Sequence, residues 1–392
     1  MCRRRRRRPA QPNRLRAPVP GCHPRRVQTP TAGSPDVLAL RLATQRLTGP
    51  PAATPLAAVR ELLCVQAQDA PLARAMIAWR AGTSAAAVTA AVAAGDLVRT
   101  HVLRPTWHYL AATDLRWLLD LTSGRVLSSL AGRHRQLGLV GLEESALAVL
   151  VQRLSGRAFA TRPDLGEALV AAGVLRPGPL LGQQVGHLLL VGELRALLCS
   201  APLPGVHRYA LVEEVVPKAH VRTRTEAVRE LVLRFVTGHG PVALVDLQRW
   251  TPLPLAELRP ALAAAGDQLR RLERPGPGTD GTELWHAPAA VLPETRPTRA
   301  LLLSTFDEAF LSYRVAGFPA SPGNPEAAST SRFAEAAGGP VLHDLTDVGG
   351  WKRRRVRGRP VLEYRLDPGL DGPARVAIEA AGERLLDLLE TD

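Results

Sequence analysis

Aromatic residues make up only 4% of this 392-residue chain. Its cores must therefore be filled by Ala, Leu and Val, within a hydrophobic content of 46% that suits a globular protein. No apolar stretch approaches the roughly 20 residues that a membrane span needs. The longest, such as VGHLLLVGELRALLC, are broken by Gly, Glu and Arg. The four cysteines (Cys2, Cys22, Cys64 and Cys199) lie far apart without C-x-x-C spacing. That argues against a metal site or a disulfide framework, and a reducing cytoplasm fits. Lysine is nearly absent, with only Lys218 and Lys352, so almost all the basic charge is arginine.

The net charge of +14 is unevenly placed. Residues 1–34 hold ten arginines and no acid, and setting these aside leaves +4 from Ser34 onward. The Ala, Pro, Gly and Arg richness has the look of a GC-rich genome, which weakens partner inferences drawn from charge. MCRRRRRRPAQPNRLRAPVPG has no apolar core after its arginines, so it is not an export signal. Its composition predicts disorder. It reads either as a nucleic-acid-binding arm or as the product of a start codon placed too early.

Three stretches share one grammar: Thr83 to Ala111, Pro179 to Val212 and Pro254 to Ala287. Each is an Ala/Leu helix stopping at Gly95-Asp96, Gly192-Glu193 or Gly266-Asp267, where glycine suits the left-handed residue past a helix end. A short Leu/Arg strand, a turn with Pro, and a second strand carrying an aromatic and a histidine follow. Helix, strand, turn, strand is the back half of a winged helix. Two further helices should precede each. For the first these are PDVLALRLATQRLTG and TPLAAVRELLCVQAQ, the latter with Thr54 as cap and Pro55 in its first turn. In the third, Thr223 and Glu226 have capping-box spacing.

The fold expected is α+β and mainly helical. It comprises a disordered Arg/Pro-rich tail (1–34), three tandem winged-helix modules (35–135, 136–218 and 219–297) and a small β-rich C-terminal module with a final helix (298–392). A partial barrel is one arrangement for that last module. Winged helices commonly read the major groove with their third helix. Here those helices offer mostly Ala and Leu, poor for base readout. Arg99, Arg104, Arg208, Arg270 and Arg271 lie in or near the wings and suit phosphates, or else form solvated strand edges. WKRRRVRGR (Trp351 to Arg359) holds six cations in nine residues. On a strand, Arg353, Arg355, Arg357 and Arg359 share a face, making a phosphate-binding ridge with Lys352 and Arg354.

In LLCVQAQDAP, Gln66 and Gln68 flank Ala67 at the end of an apolar run. They either satisfy a helix end or hold a water. On a regular helix an i, i+2 pair diverges by about 200° and shares a face only on extended backbone, so a helix end or irregular turn is expected between Val65 and Asp69. Pro71 helps to impose it.

The blocks LATQRLTG, LLCVQAQDAPLARAMIAWRAG, LVRTHVLRPTWHYLAATDLRWLL, LLLSTFDEAFLSYR and GGWKRRR, in that order, resemble the AlkZ-like DNA glycosylases. The resemblance spans about residues 36–390. It implies tandem winged helices cradling double-stranded DNA on a concave surface, with no cofactor and no metal, and with Gln66 and Gln68 at the alkylated nucleotide. The related YcaQ-like branch carries Asp for the second glutamine, so Gln68 places this chain with the AlkZ-like branch. By the same resemblance RPTWHYL lies beside the DNA, making Thr106 and His108 candidates. His108 is equally read as a core-edge histidine, and Trp107 and Trp117 as core. Asp69 is either an accessory to the water or a helix cap. FDEAF is a landmark without an assigned chemical role, and Asp307 reads as structural. DLTDVGGWKRRR is shorter than the family's usual strand pair, and the arginine tail is not part of the family pattern.

The implied activity is a monofunctional glycosylase excising N7- or N3-alkylpurines and unhooking interstrand crosslinks, in alkylation repair or in self-resistance to DNA-alkylating natural products. No lysine stands near the glutamines, which disfavours a Schiff-base step. Such an enzyme is expected to be a cytoplasmic, nucleoid-associated monomer with no membrane partner. The alternatives are a non-catalytic winged-helix regulator, which would dimerise and tolerate Gln68→Ala, and a drug-sequestering protein for which DNA is dispensable.

Overall fold

The computed structural model describes residues 34–218, 222–272, 281–290, 300–315, 317–325, 338–357 and 359–390. The arginine tail, except Ser34, and the cysteines Cys2 and Cys22 lie outside these. Helix α1 (Pro35–Thr44) is the first element among the described residues, with the Ser34 hydroxyl accepting from the Val37 amide. Helix α2 (Pro55–Leu62) is capped by Thr54, whose hydroxyl accepts from Ala57 N–H. It stops at Leu63, which takes a φ of +67° and turns the chain into β1 (Cys64–Gln66). Then come α3 (Ala70–Ala81), α4 (Ala85–Ala93), β2 (Leu97–His101) and β3 (Trp107–Ala111). The three strands form an antiparallel sheet ordered β1-β3-β2.

This order departs from the expected one. The helices of the first repeat are α2, α3 and α4, whereas α1 packs elsewhere. The cause is local: Asp69 caps a helix at Ala70, and Pro71 in its first turn suits a helix start. Leu38, Ala39 and Leu42 of α1 instead share a core with the C-terminal residues Leu301, Val341 and Ile378.

The long helix α5 (Leu115–Gln136) leads to a second set: α6 (Glu143–Leu154), α7 (Arg162–Ala171), α8 (Leu181–Leu194), β4 (Leu198–Ser200) and β5 (Tyr209–Leu211). The short α9 (Val212–Val215) connects to a third: α10 (Arg224–His239), α11 (Leu244–Trp250), α12 (Leu255–Ala264), β6 (Arg270–Arg271) and β7 (Trp285–His286). Three helices followed by an antiparallel strand pair thus occur three times. Single bridges, Ala160 to Tyr209 and Val242 to Trp285, stand in the later sets where β1 stands in the first. Gly95 and Gly266 take positive φ after their helices, as expected. Gly192 does not: α8 runs on to Leu194 and Ala196 takes the left-handed conformation. Gly192 answers to packing, because a Cβ there would stand 2.7 Å from the Leu198 side chain. The Thr223–Glu226 capping box is present.

The C-terminal part comprises β8 (Leu301–Leu302), α13 (Glu308–Leu311), β9 (Gly338–His343), β10 (Thr346–Val356), β11 (Arg359–Leu366) and α14 (Gly372–Glu390). Its sheet is open and antiparallel, ordered β11-β10-β9-β8, not a partial barrel. Among the described residues strand β10 pairs with β9 as far as Lys352 and with β11 as far as Val356, and the end of this β10–β11 arm carries Arg353, Arg354 and Arg355. Among the described residues no helix is long and apolar enough to cross a membrane.

Buried polar groups join these parts. Arg80 of α3 and Asp307 pair through two hydrogen bonds of 2.7 and 2.9 Å with both side chains 1% exposed. Arg80 also donates to Gln45, whose amide donates to the Tyr313 hydroxyl, which in turn donates to the His239 carbonyl. Removing one partner of such a pair strands the other charge, at about 3–5 kcal/mol. Asp307→Ala should lower the unfolding free energy by that amount, and Arg80→Met combined with Asp307→Leu by less than Asp307→Ala alone. Urea unfolding at pH 7, followed by circular dichroism, checks both.

Candidate active site

The chain around the two glutamines is not helical: a strand ends at Gln66 and the chain bends at Gln68. Strand β1 pairs with the centre of β3, setting Val65 opposite Tyr109 and Gln66 opposite His108. Ala67 continues the pairing, its N–H donating to the Trp107 carbonyl at 2.7 Å. The Ala67 carbonyl accepts two bonds from Arg99, of 3.1 and 3.0 Å. A buried apolar run (Leu62, Leu63, Cys64, Val65) underlies the motif and explains why it is held so firmly. The glutamines differ in exposure. Gln66 is 7% exposed, whereas Gln68 is on the surface and its Oε1 meets the Trp107 N–H loosely at 3.5 Å.

Beneath Gln66 lies Glu308, fully buried and 242 positions away in sequence. Its Oε1 accepts from the Gln66 N–H at 3.0 Å, while Oε2 accepts from the Trp250 indole at 3.0 Å and the Ser312 hydroxyl at 2.8 Å. Burial alone would raise this carboxyl, but His239, 3.8 Å away, and the Arg104 charge prevail and hold it well below the ordinary carboxylate range. Glu308 sits in the FDEAF block, so the signal was visible in the sequence. Its chemical meaning was not, because nothing local ties it to Gln66.

Arg104 turns inward. Its Nη2 donates to Gln66 Oε1 at 3.0 Å and stands 3.4 Å from His108 Nε2. His108 is buried completely, and its Nδ1 faces the Thr106 carbonyl at 2.9 Å. The ring that donates from Nδ1 and accepts at Nε2 is neutral. Burial, reinforced by the Arg104 charge, lowers its pKa to about 3. His108 therefore supports Arg104 instead of contacting a phosphate, and its fully buried ring leaves no surface for DNA.

The remaining candidates divide. Asp69 Oδ1 accepts from Leu72 N–H at 3.0 Å and caps α3. Arg99 is spent on Ala67 and stacks 4.1 Å above the Trp107 ring, so it is no free phosphate ligand. Trp107 is half-buried, not core, with His101 at 4.1 Å and His207 at 5.1 Å from its ring. Trp117 is core. The Thr106 hydroxyl is buried with no partner among the described residues. Arg99 also lines a cavity of about 490 Å³ with Arg74, Tyr109, Ser200, His207 and Arg208. Lys352, Arg353, Arg354, Arg355 and Arg357 lie far along the chain on the β10–β11 arm. Lys352 and Arg353 are half-buried and the other three exposed. Arg354 pairs with Glu363 at 2.5 Å. Arg357 takes a φ of +51° in the turn, so the alternation of Arg353 and Arg355 does not continue through it, and the Arg359 side chain lies outside the described residues. Cys64 and Cys199 are buried free thiols.

The depressed histidine has a measurable consequence. Below about pH 6.5 the unfolded chain protonates His108 and the folded chain does not until about pH 3, so stability drops as the pH is lowered through that window. His207, lowered to about 4 by burial and then by Arg99, adds in the same direction. The unfolding free energy of the His108→Gln variant should lose about 1.4 kcal/mol less per pH unit than wild type between pH 6 and 4.5. Urea titrations at several pH values read this directly.

Comparison with known proteins is consistent with this layout. The chain is similar in structure to the Streptomyces sahachiroi DNA glycosylase AlkZ, with a TM-score of 0.64 at 20% identity, covering 92% of this chain and 97% of that one. No curated protein matches the sequence significantly. The profile of the family described as DNA glycosylase AlkZ-like matches residues 59–388, from α2 through nearly all of α14. The chain belongs to the AlkZ-like DNA glycosylase family.

Proposed function

We propose that this DNA glycosylase hydrolyses the N-glycosidic bond of N7- or N3-alkylated purines in double-stranded DNA, crosslinked purines included, with Gln66 and Gln68 holding the attacking water. The observation that carries this reading is the non-helical Gln66-Ala67-Gln68 segment at the end of β1, one carboxamide held by Arg104 and the other open to solvent. An alkylated purine already bears positive charge, so its glycosidic bond breaks through an oxocarbenium-like sugar without an enzyme acid. Water then adds at C1′ while the bond's electron pair goes to the purine and neutralises it. The water's surplus proton passes to solvent.

Amides suit this division. They position water and stabilise charge without a strong base, which leaves unactivated bases intact. The carboxylates in contact with the segment are already committed, Asp69 to the α3 cap and Glu308 to three donors. We read the three helix-and-strand-pair sets as winged-helix modules facing the duplex, with boundaries near residues 135, 218 and 297. In this reading the β10–β11 arm contacts phosphates through Lys352, Arg353, Arg354, Arg355 and Arg357. The protein works as a monomer near the nucleoid, in alkylation repair or in self-resistance.

Base release from duplexes carrying N7-methylguanine, and from a nitrogen-mustard crosslinked duplex, tests the proposal. Gln68→Ala should slow release by about 10- to 100-fold with duplex affinity unchanged. Equal release by wild type, Gln66→Ala and Gln68→Ala would refute the water-holding role. Replacing Arg353, Arg354 and Arg355 together by Gln should weaken binding to damaged and undamaged duplex alike. It should also flatten the salt dependence by about 0.9 in log–log slope for each phosphate no longer neutralised.

A further inference from the structure

The resting orientation of the Gln66 carboxamide is dictated by its neighbour. A guanidinium carries donors and no acceptor. The end of the amide standing 3.0 Å from Arg104 Nη2 is therefore Oε1, and Nε2 faces the other way. Among the described residues Nε2 has no protein partner.

Arg104 is itself closely held. Two consecutive three-residue turns enclose it: its N–H donates to the Val102 carbonyl at 2.6 Å, and its carbonyl accepts from Thr106 N–H at 2.7 Å. Val102 and Leu103, just before it, are completely buried, and Leu103 takes a φ of +62°. The neutral His108 ring offers Nε2 as an acceptor on one side. Below, the Glu308 carboxylate fixes the Gln66 backbone and supplies a buried negative charge toward Arg104. A cation meant for the DNA backbone would project outward, but this one is directed into the strand that carries the glutamines.

We infer that Arg104 is a positioning residue for base excision, fixing the Gln66 amide with its N–H toward the water and leaving the acceptor role to Gln68. The inference rests on the glycosylase reading above. The water then accepts from Gln66 Nε2, donates to Gln68 Oε1, and directs its second lone pair at C1′. Without Arg104 the Gln66 amide is free to turn over. Two acceptors would then face a water that needs one donor and one acceptor, and its attacking lone pair would lose direction.

Full-length protein labelled with ¹⁵N-glutamine provides the first test, with the Gln66 side-chain amide assigned by its loss in Gln66→Ala. In Arg104→Met that signal should shift or broaden, and in Arg104→Lys it should return part of the way. Single-turnover release of N7-methylguanine should fall about tenfold in Arg104→Met, with KM, melting temperature and the salt dependence of duplex binding unchanged. In a Gln66→Ala background the same substitution should change the rate less than about twofold, because residues acting through one another are not additive. If Arg104→Met instead raises KM and lowers the salt slope by about one, or if its effect multiplies with that of Gln66→Ala, Arg104 is a phosphate ligand and the inference fails. An unmoved Gln66 signal overturns it whatever the activity. A moved signal in a protein whose wild type releases no alkylpurine supports the orientation and refutes the substrate reading instead.

Discussion

Two adjacent buried carboxylates, Asp307 and Glu308, bind the C-terminal quarter of the chain to the strand that bears Gln66. Neither can remain charged in an apolar interior without partners. Asp307 finds Arg80 near the end of α3, and Glu308 finds the Gln66 backbone N–H, the Trp250 indole and the Ser312 hydroxyl. The first fixes the helix that follows the glutamines, and the second fixes the strand that contains one of them. The segment is thereby clamped at both ends by residues more than 220 positions away.

That clamp gives the third helical set a role other than presenting a helix to a groove. Trp250 of α11 and His239 of α10 face Glu308, and α10 approaches α2 so closely that a Cβ on Gly238 would meet the Glu61 carbonyl at 2.0 Å. The second set touches the first differently. Glu193, buried in α8, accepts from Thr100 and meets His101 of β2, so the strand next to β3 is braced from that side. With β3 set between β1 and β2, the Gln66-Ala67-Gln68 segment gains a rigid backing. The chemistry proposed for it needs position and not a reactive group, and such a backing supplies position.

The charge distribution shows how far residue type alone misleads. Arg99 and Arg104 look alike in sequence, as wing arginines suited to phosphates. In the fold one is consumed by the Ala67 carbonyl and the face of Trp107, and the other by Gln66 and His108. The exposed cations lie instead toward the end of the β10–β11 arm, at Arg354, Arg355 and Arg357.

Local physics made much of this legible. The caps Thr54 and Thr223, the glycines Gly95 and Gly266 after helices, and the three repeated Ala/Leu helices with strand pairs follow from short-range hydrogen bonding and periodicity. The break from helix between Val65 and Asp69 followed from the spacing of the pair, whereas the strand ending at Gln66 was not legible. The assignment of α1 to the first repeat failed because its apolar face suits either core, and only packing selects the C-terminal one. The helix end near Gly192 was misplaced because that glycine serves contact with Leu198, not conformation. The sequence by itself determined the elements, their repetition and the place of the glutamines, since each depends on neighbours a few residues apart. Only the tertiary structure decided that Glu308 lies beneath Gln66, that His108 is sealed and neutral, and that Arg104 faces inward. Those outcomes depend on which distant groups must satisfy one another's buried hydrogen bonds and charge, and no local pattern encodes that choice.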